Sequence, residues 1–251
     1  MEEIIKSEGK CLFCNKTFTK TGINRHLATH LTDQATEGVT GKSFFVKVET
    51  NKRWGSTPYF LSLWIDGEAK MKDIDSFLRE IWLECCGHLS AFSYPTKKRR
   101  GFGMNFFNPF GTAGNGKEYE GEISMNKKVK DILYKDLVLD YEYDFGTSTN
   151  LSLTVIEEYP VKTTKKIVLL SRNEPLEIIC SVCGKAPATQ ICTSCSYKEA
   201  TFCNKCAKKH AKKCEDFDDY ASMPVVNSPR MGECGYEGGT IDVERDGVYK
   251  M

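Results

Sequence analysis

The chain has 251 residues, 40% apolar and 27% charged, which is the balance of a folded soluble protein and excludes collagen-like, low-complexity and strongly acidic classes. Its 35 basic and 34 acidic residues leave a net charge of +1, so no whole-molecule field holds it on a polyanion and any nucleic-acid contact must be local. The longest apolar runs, around 44–48 and 59–65, fall well short of the roughly 20 residues that cross a bilayer, and the opening MEEIIKSEGK lacks the pattern of a secretory signal. A cytoplasmic protein without membrane contact is expected. In such a reducing compartment the 12 cysteines, most of them in tight pairs, point to metal ligation before disulfides.

Residues 1 to about 34 are too few for an independent hydrophobic core. They carry Cys11-x2-Cys14 and then His26-x3-His30, two histidines one helical turn apart that can reach a single ion. The pattern resembles a C2H2 zinc finger, with Phe18 and Ile23 at its two core positions and eleven residues, one fewer than usual, between the second cysteine and the first histidine. At the base-reading positions of such a finger stand Thr19, Gly22 and Arg25, and only Arg25 can form a bidentate base contact. Docking on a protein and loose nucleic-acid binding are therefore open alternatives to sequence reading.

Thr32 to Gly41 reads as a polar linker into a core over residues 41–172. Phe44, Val46 and Val48, then Tyr59, Leu61, Leu63 and Ile65, alternate with period two and predict strands buried on one face, with 51–57 as the turn. Ile74, Phe77, Leu78, Ile81, Trp82 and Cys85 form the stripe of an amphipathic helix stopped at Gly87. A strand at 89–94, a short helix at 127–134 and strands at 137–143, 151–158 and 165–170 follow, the last two as a hairpin about Tyr159-Pro160. Strands interrupted by one long helix predict an α+β fold. Ser171 to Pro175 reads as the second linker.

In residues 176–251, Cys180-x2-Cys183, Cys192-x2-Cys195 and Cys203-x2-Cys206 precede His210 and Cys214. Eight thiolates and imidazoles suit two closed tetrahedral sites. Cys206, His210 and Cys214 would rise about 6 Å apiece along a helix, too far for one ion. The arrangement is therefore taken as interleaved: Cys180, Cys183, Cys203 and Cys206 on one zinc, Cys192, Cys195, His210 and Cys214 on the other. This spacing resembles the cross-braced B-box and MYND modules, which implies protein binding. With the finger, four ligands per ion predict about three zinc ions per chain.

Little else carries chemistry. His88 follows Cys85-Cys86-Gly87, so a thiol–imidazole pair can be imagined, but a histidine just past a helix end more often caps carbonyls. Asp144-Phe145-Gly146 spells the kinase magnesium triplet without the loops that accompany it, and Gly146 is expected to allow a sharp turn. Lys97, Lys98, Arg99 and Arg100, followed by Phe102, Phe106, Phe107 and Phe110, form the best local candidate for a nucleic-acid contact, with a solvated loop as the alternative. The lysines between 205 and 213 are followed at once by Glu215, Asp216, Asp218 and Asp219.

The order strand, strand, helix ending in Gly87-His88-Leu89, strand, then Tyr141-Glu142-Tyr143-Asp144-Phe145-Gly146 resembles the Ri-plasmid third-open-reading-frame-like family of insertion-element passenger proteins, over about 43–172. Residues 224–236 (PVVNSPRMGECGY) are similar to the tail of members with a C-terminal zinc module. Where members continue with an acid, a tryptophan and a histidine, this chain has Thr147, Thr149 and Leu151. The resemblance implies an α+β fold and a mobile-element or plasmid setting, and supplies no catalytic residues. The expected function is a zinc-binding interaction protein contacting protein, nucleic acid or both, of unknown oligomeric state. The alternatives are a metal-dependent enzyme acting on nucleic acid through acids such as Asp144, and a self-associating scaffold.

Overall fold

The computed structural model describes residues 7–51, 58–95, 121–195 and 200–247. Lys97 to Arg100 and the phenylalanines after them lie outside these residues, as does most of the 51–57 turn.

The fold is α+β. A small hairpin, β1 (Glu8–Lys10) and β2 (Thr17–Thr19), leads into helix α1 (Gly22–Glu37). There follow β3 (Thr40–Thr50), β4 (Phe60–Asp66), α2 (Met71–Leu78) with a π-turn over Arg79–Leu83, β5 (Ser90–Ser93), β6 (Glu122–Ile123), α3 (Val129–Ile132), β7 (Val138–Tyr143), β8 (Thr149–Val161) and β9 (Ile167–Arg172). Strands β3 to β9 make one antiparallel seven-stranded sheet in the order β6-β5-β7-β8-β3-β4-β9. Beyond it, β10 (Gln190–Cys192), β11 (Thr201–Phe202) and β12 (Ser222–Pro224) form a second sheet, with α4 (Asn204–His210) between β11 and β12 in the chain.

One face of the large sheet packs Phe44, Val46, Leu63, Ile65, Tyr141 and Leu153 against Ile74, Leu78, Ile81 and Trp82 of α2 and its π-turn. This is the face that period two predicts. The other face is buried too: Ile23, Leu27 and Leu31 of α1 lie on Phe45, Phe60, Trp64, Tyr159, Val161 and Leu170. Strand β4 is consequently buried at every residue, where alternation predicts burial of one side only. The N-terminal segment thus closes on the sheet. Leu12 N–H donates to the Leu170 carbonyl at 3.0 Å, Glu174 N–H donates to the Glu8 carbonyl at 2.8 Å, and a Cβ on Gly9 would stand 2.6 Å from Phe60 Cζ.

The expected β8–β9 hairpin does not form. Strands β3 and β4 sit between β8 and β9, so the connection must span about 14 Å, three strand spacings. Thr163 N–H anchors it on Asp66 Oδ2 at 3.1 Å.

Neither expected linker is a linker: 32–41 holds the end of α1 and the start of β3, and 171–175 is part of the core. Ser171, Arg172 and Asn173 are fully buried, and Arg172 donates to Asp246 Oδ1 and to the Asn227 carbonyl, each at 2.6 Å. The segment after β12 is therefore laid on the core: Ser228 Oγ donates to the Trp82 carbonyl at 2.6 Å, and Arg230 and Tyr236 are buried.

Candidate metal centres

Each Cys-x2-Cys pair needs a turn that brings two sulfurs to one side of the backbone. Cys11–Cys14 and Cys180–Cys183 solve this alike. The residue after the second cysteine takes the left-handed conformation, Asn15 at φ 60° and Gly184 at φ 61°, and its N–H donates back to the first cysteine's carbonyl at 2.8 and 2.9 Å. Asparagine and glycine are the residues that tolerate that conformation at least cost.

In the N-terminal set, Cys11, Cys14, His26 and His30 present ligand atoms within 4.8 Å of one another. His26 Nε2 lies 3.2 Å from both Cys14 Sγ and His30 Nε2. Bonds of about 2.3 Å to sulfur and about 2.05 Å to nitrogen give a tetrahedron with S···S, S···N and N···N edges of about 3.8, 3.6 and 3.3 Å. The His26–His30 distance fits the N···N edge, and the His26–Cys14 distance lies about 0.4 Å inside the S···N edge. Phe18 stacks on the His26 ring with centroids 4.1 Å apart, fixing its plane. Burial, with His30 and Lys16 nearby, holds His26 below the ordinary histidine pKa, which favours the neutral imidazole a metal needs.

Cys180, Cys183, Cys203 and Cys206 form a second set, with Cys183 and Cys203 sulfurs 4.0 Å apart. Cys203 is the residue before α4 and Cys206 lies in its first turn. Burial works against the Cys180 thiolate, but the N–H groups of Cys183, Cys203 and Val182 bring it down to about 6. Burial and the neighbouring Cys203 and Cys180 sulfurs push Cys206 up to about 12. A cation among these sulfurs would offset the burial and sulfur–sulfur repulsion that hold Cys206 up.

Cys192, Cys195, His210 and Cys214 form the third set. Cys214 Sγ is 3.9 Å from Cys192 Sγ and 4.0 Å from Cys195 Sγ, and His210 Nε2 is 3.6 Å from Cys195 Sγ. Helix α4 stops at His210, so Cys214 comes round on the following turn while Cys206 faces the other set. Phe202 stacks on His210 at 4.3 Å. The twelve residues read as ligands thus stand in three sets of four, in the interleaved arrangement.

A fourth set was not assembled from the sequence: Cys85, Cys86, His88 and Cys234, also within 4.8 Å of one another. Its visible signal is Cys-Cys-x-His beside a lone cysteine in a glycine-bearing tail, 148 residues beyond Cys86. His88 Nε2 faces Cys86 and Cys234 and caps no carbonyl by that atom. Asp144, not Gly146, makes the nearby turn. It sits at φ 64°, its Oδ1 accepts from Gly146 and Thr147 N–H, and Arg230 beside it holds the carboxyl down at about 2.

Arg25 is exposed on α1, pointing away from the sheet, and Gly22 N–H donates to Thr19 Oγ1 at 3.2 Å. Among the described residues no helix is long and apolar enough to cross a membrane.

The Cys/His sets are compatible with zinc. No protein-family model matches the chain, and no curated protein matches it. Among solved structures, the crystal structure of MM3350 from Methanosarcina mazei Go1, a protein of unknown function, is similar with a TM-score of 0.38 and 14% identity, covering 72% of this chain and 87% of that chain.

Proposed function

We propose that this is a zinc-folded, non-enzymatic interaction protein, in which the N-terminal set and the two interleaved sets each hold a structural zinc. The observation that carries the reading is closure. Each of these sets offers four Cys/His ligand atoms within 4.8 Å of one another, a full complement for a closed site, so no position is kept for the water or substrate that a catalytic zinc requires. The three sets also take up three of the four histidines.

What remains is surface. Arg25 and Thr29 line the open side of α1, and a groove beside α4 is lined by Gln190, Asn204, Lys208, Lys212 and Phe217. Mixed lysine, carboxamide and aromatic lining suits a protein partner, and the Lys97–Arg100 stretch adds a candidate phosphate contact. The resemblance of residues 43–172 to the insertion-element passenger family belongs to the same proposal, and a mobile-element setting is what that resemblance implies. The nucleic-acid enzyme reading loses its best acid, because both Asp144 oxygens are committed to Arg230 and to two backbone N–H groups.

Metal analysis of the purified full chain, paired with nucleic-acid binding at several salt concentrations, tests this. Zinc should fill the three sets. A steep fall of affinity with salt assigns phosphate contacts, whereas no binding at low salt assigns the partner as protein. Absence of zinc, or magnesium-dependent cleavage of nucleic acid lost in a folded Asp144→Ala variant, would overturn the proposal.

A further inference from the structure

Cys85, Cys86, His88 and Cys234 belong to none of the three modules. The first three lie between the π-turn and β5, and Cys234 lies in the segment that follows the second sheet. Their spacing is that of a ligand set. His88 Nε2 is 3.0 Å from Cys86 Sγ and 3.2 Å from Cys234 Sγ, Cys86 and Cys234 sulfurs are 3.6 Å apart, and Cys85 and Cys86 sulfurs 3.9 Å. The S···S values bracket the edge of about 3.8 Å set by zinc–thiolate bonds, and the two S···N values lie inside the corresponding edge of about 3.6 Å.

Four further observations separate this set from a chance meeting of thiols. The other ring nitrogen of His88, Nδ1, faces Asp144 Oδ1 at 3.5 Å, the carboxylate–imidazole arrangement that fixes the ring of a metal-bound histidine. Asp144 is held in turn by Arg230 at 2.5 Å, four residues before Cys234, so the supporting carboxylate and the distant ligand come with the same segment. The turn carrying the near ligands is tied down as well: Arg79 Nη2 donates to the His88 carbonyl at 2.6 Å, and Gly87 N–H donates to Glu84 Oε1 at 2.5 Å. Cys234 itself sits at φ 47°, a left-handed conformation that disfavours a non-glycine residue and that marks a constrained position.

We infer that Cys85, Cys86, His88 and Cys234 form a fourth metal site, for zinc or a divalent cation of similar softness, which clasps the C-terminal segment to the core. Three thiolates and a dication carry one net negative charge, and Arg230 stands beside Cys85 Sγ at 3.8 Å to offset it. Unlike the other three, this set joins residues far apart in the chain and has two exposed sulfurs, Cys86 and Cys234. Its metal is therefore the most accessible to chelators. The inference is independent of the proposed function.

The test is metal stoichiometry of the full chain, kept reduced, against Cys86→Ser and Cys234→Ser. Both residues are exposed, so neither change opens a cavity. Wild type should hold four equivalents of zinc or cobalt, and each variant three, with loss of part of the thiolate-to-cobalt charge-transfer absorption. Asp144→Asn, a change at a positioning residue, should weaken the same equivalent by about 10- to 100-fold in chelator competition. In wild type, alkylation of Cys86 and Cys234 should be slow until that equivalent is removed. Three equivalents in wild type and in both variants would refute the fourth site while leaving the three-zinc reading intact. A Cys86–Cys234 cystine in protein prepared with reductant would refute it in favour of a redox pair.

Discussion

Leu27→Ala tests whether the N-terminal module is part of the sheet's own packing. Leu27 has no solvent exposure and lies in the middle of the α1 stripe, between Ile23 and Leu31, over Phe45, Phe60 and Trp64. Burying three such side chains is worth about 5–9 kcal/mol of transfer free energy. The truncation removes three carbons and leaves a cavity walled by aromatic rings and β-strands that cannot collapse freely. The expected cost is about 2–5 kcal/mol. Urea unfolding of the zinc-loaded protein, followed by tryptophan fluorescence, should report it as a lower midpoint with an unchanged slope, because Trp64 lies in this layer and Trp82 on the opposite face. A loss below about 1 kcal/mol, as for a surface site, would mean that α1 is a tethered finger and not the second layer of the sheet, and the account of the fold would fall.

Removing metal should act unevenly. The buried cluster of the C-terminal module consists of Cys180, Cys192, Cys203 and Cys206 with Phe202, Ala207, Phe217 and Ala221, so chelation should expose its amides to hydrogen exchange while β3, β4 and β8 keep their protection. Equal loss across both would show one cooperative unit. Asp246→Asn removes the nearer of the two carboxylates on the fully buried Arg172, leaving Asp242 Oδ2 at 3.5 Å, and should cost up to about 3–5 kcal/mol in thermal or denaturant unfolding, against nearly nothing if the C-terminal segment is undocked. Asp144 offers a pH test. Its folded pKa of about 2 lies below the ordinary carboxylate value of about 3.9, so the pair's stabilisation is complete above the latter and is lost as pH falls through about 2. A carboxyl-carbon titration near 4 would show that the Arg230 contact is absent.

The sequence is most legible where chemistry is local. The Cys-x2-Cys spacings and the i, i+4 histidines are settled within a turn or two of backbone, and helical rise excludes one ion for Cys206, His210 and Cys214 together. The stripe through Ile74, Leu78, Ile81 and Trp82 and the alternation in β3 are read for the same reason. Three features escape because their cause lies elsewhere in the chain. Burial on both sides of β4 comes from α1. The partners of β8 and β9 depend on β3 and β4 occupying the space between them. The Cys85 set becomes visible only when the segment bearing Arg230 and Cys234 is folded back onto Asp144 and the π-turn. Arg172 and Arg230 carry the same lesson: two arginines at what composition marks as a join and a tail are fully buried, each paired with an aspartate.

The position of α1 also constrains how a nucleic acid could be held. Its apolar stripe is spent on the sheet and its imidazoles turn toward the Cys11–Cys14 knuckle, so the free side offers Arg25, Thr29 and Thr32, with Asp33 and Glu37 further along. Lys20, near its start, is paired with Glu49 at 2.7 Å. One unpaired arginine corresponds to about one neutralised phosphate, and hence to a slope near −0.9 in log affinity against log salt. A measured slope several times steeper would require cations from another part of the chain, with Lys97 to Arg100 the first to neutralise. A slope of about −0.9 would leave the helix as a minor contact, and the Cys/His modules as surfaces for protein.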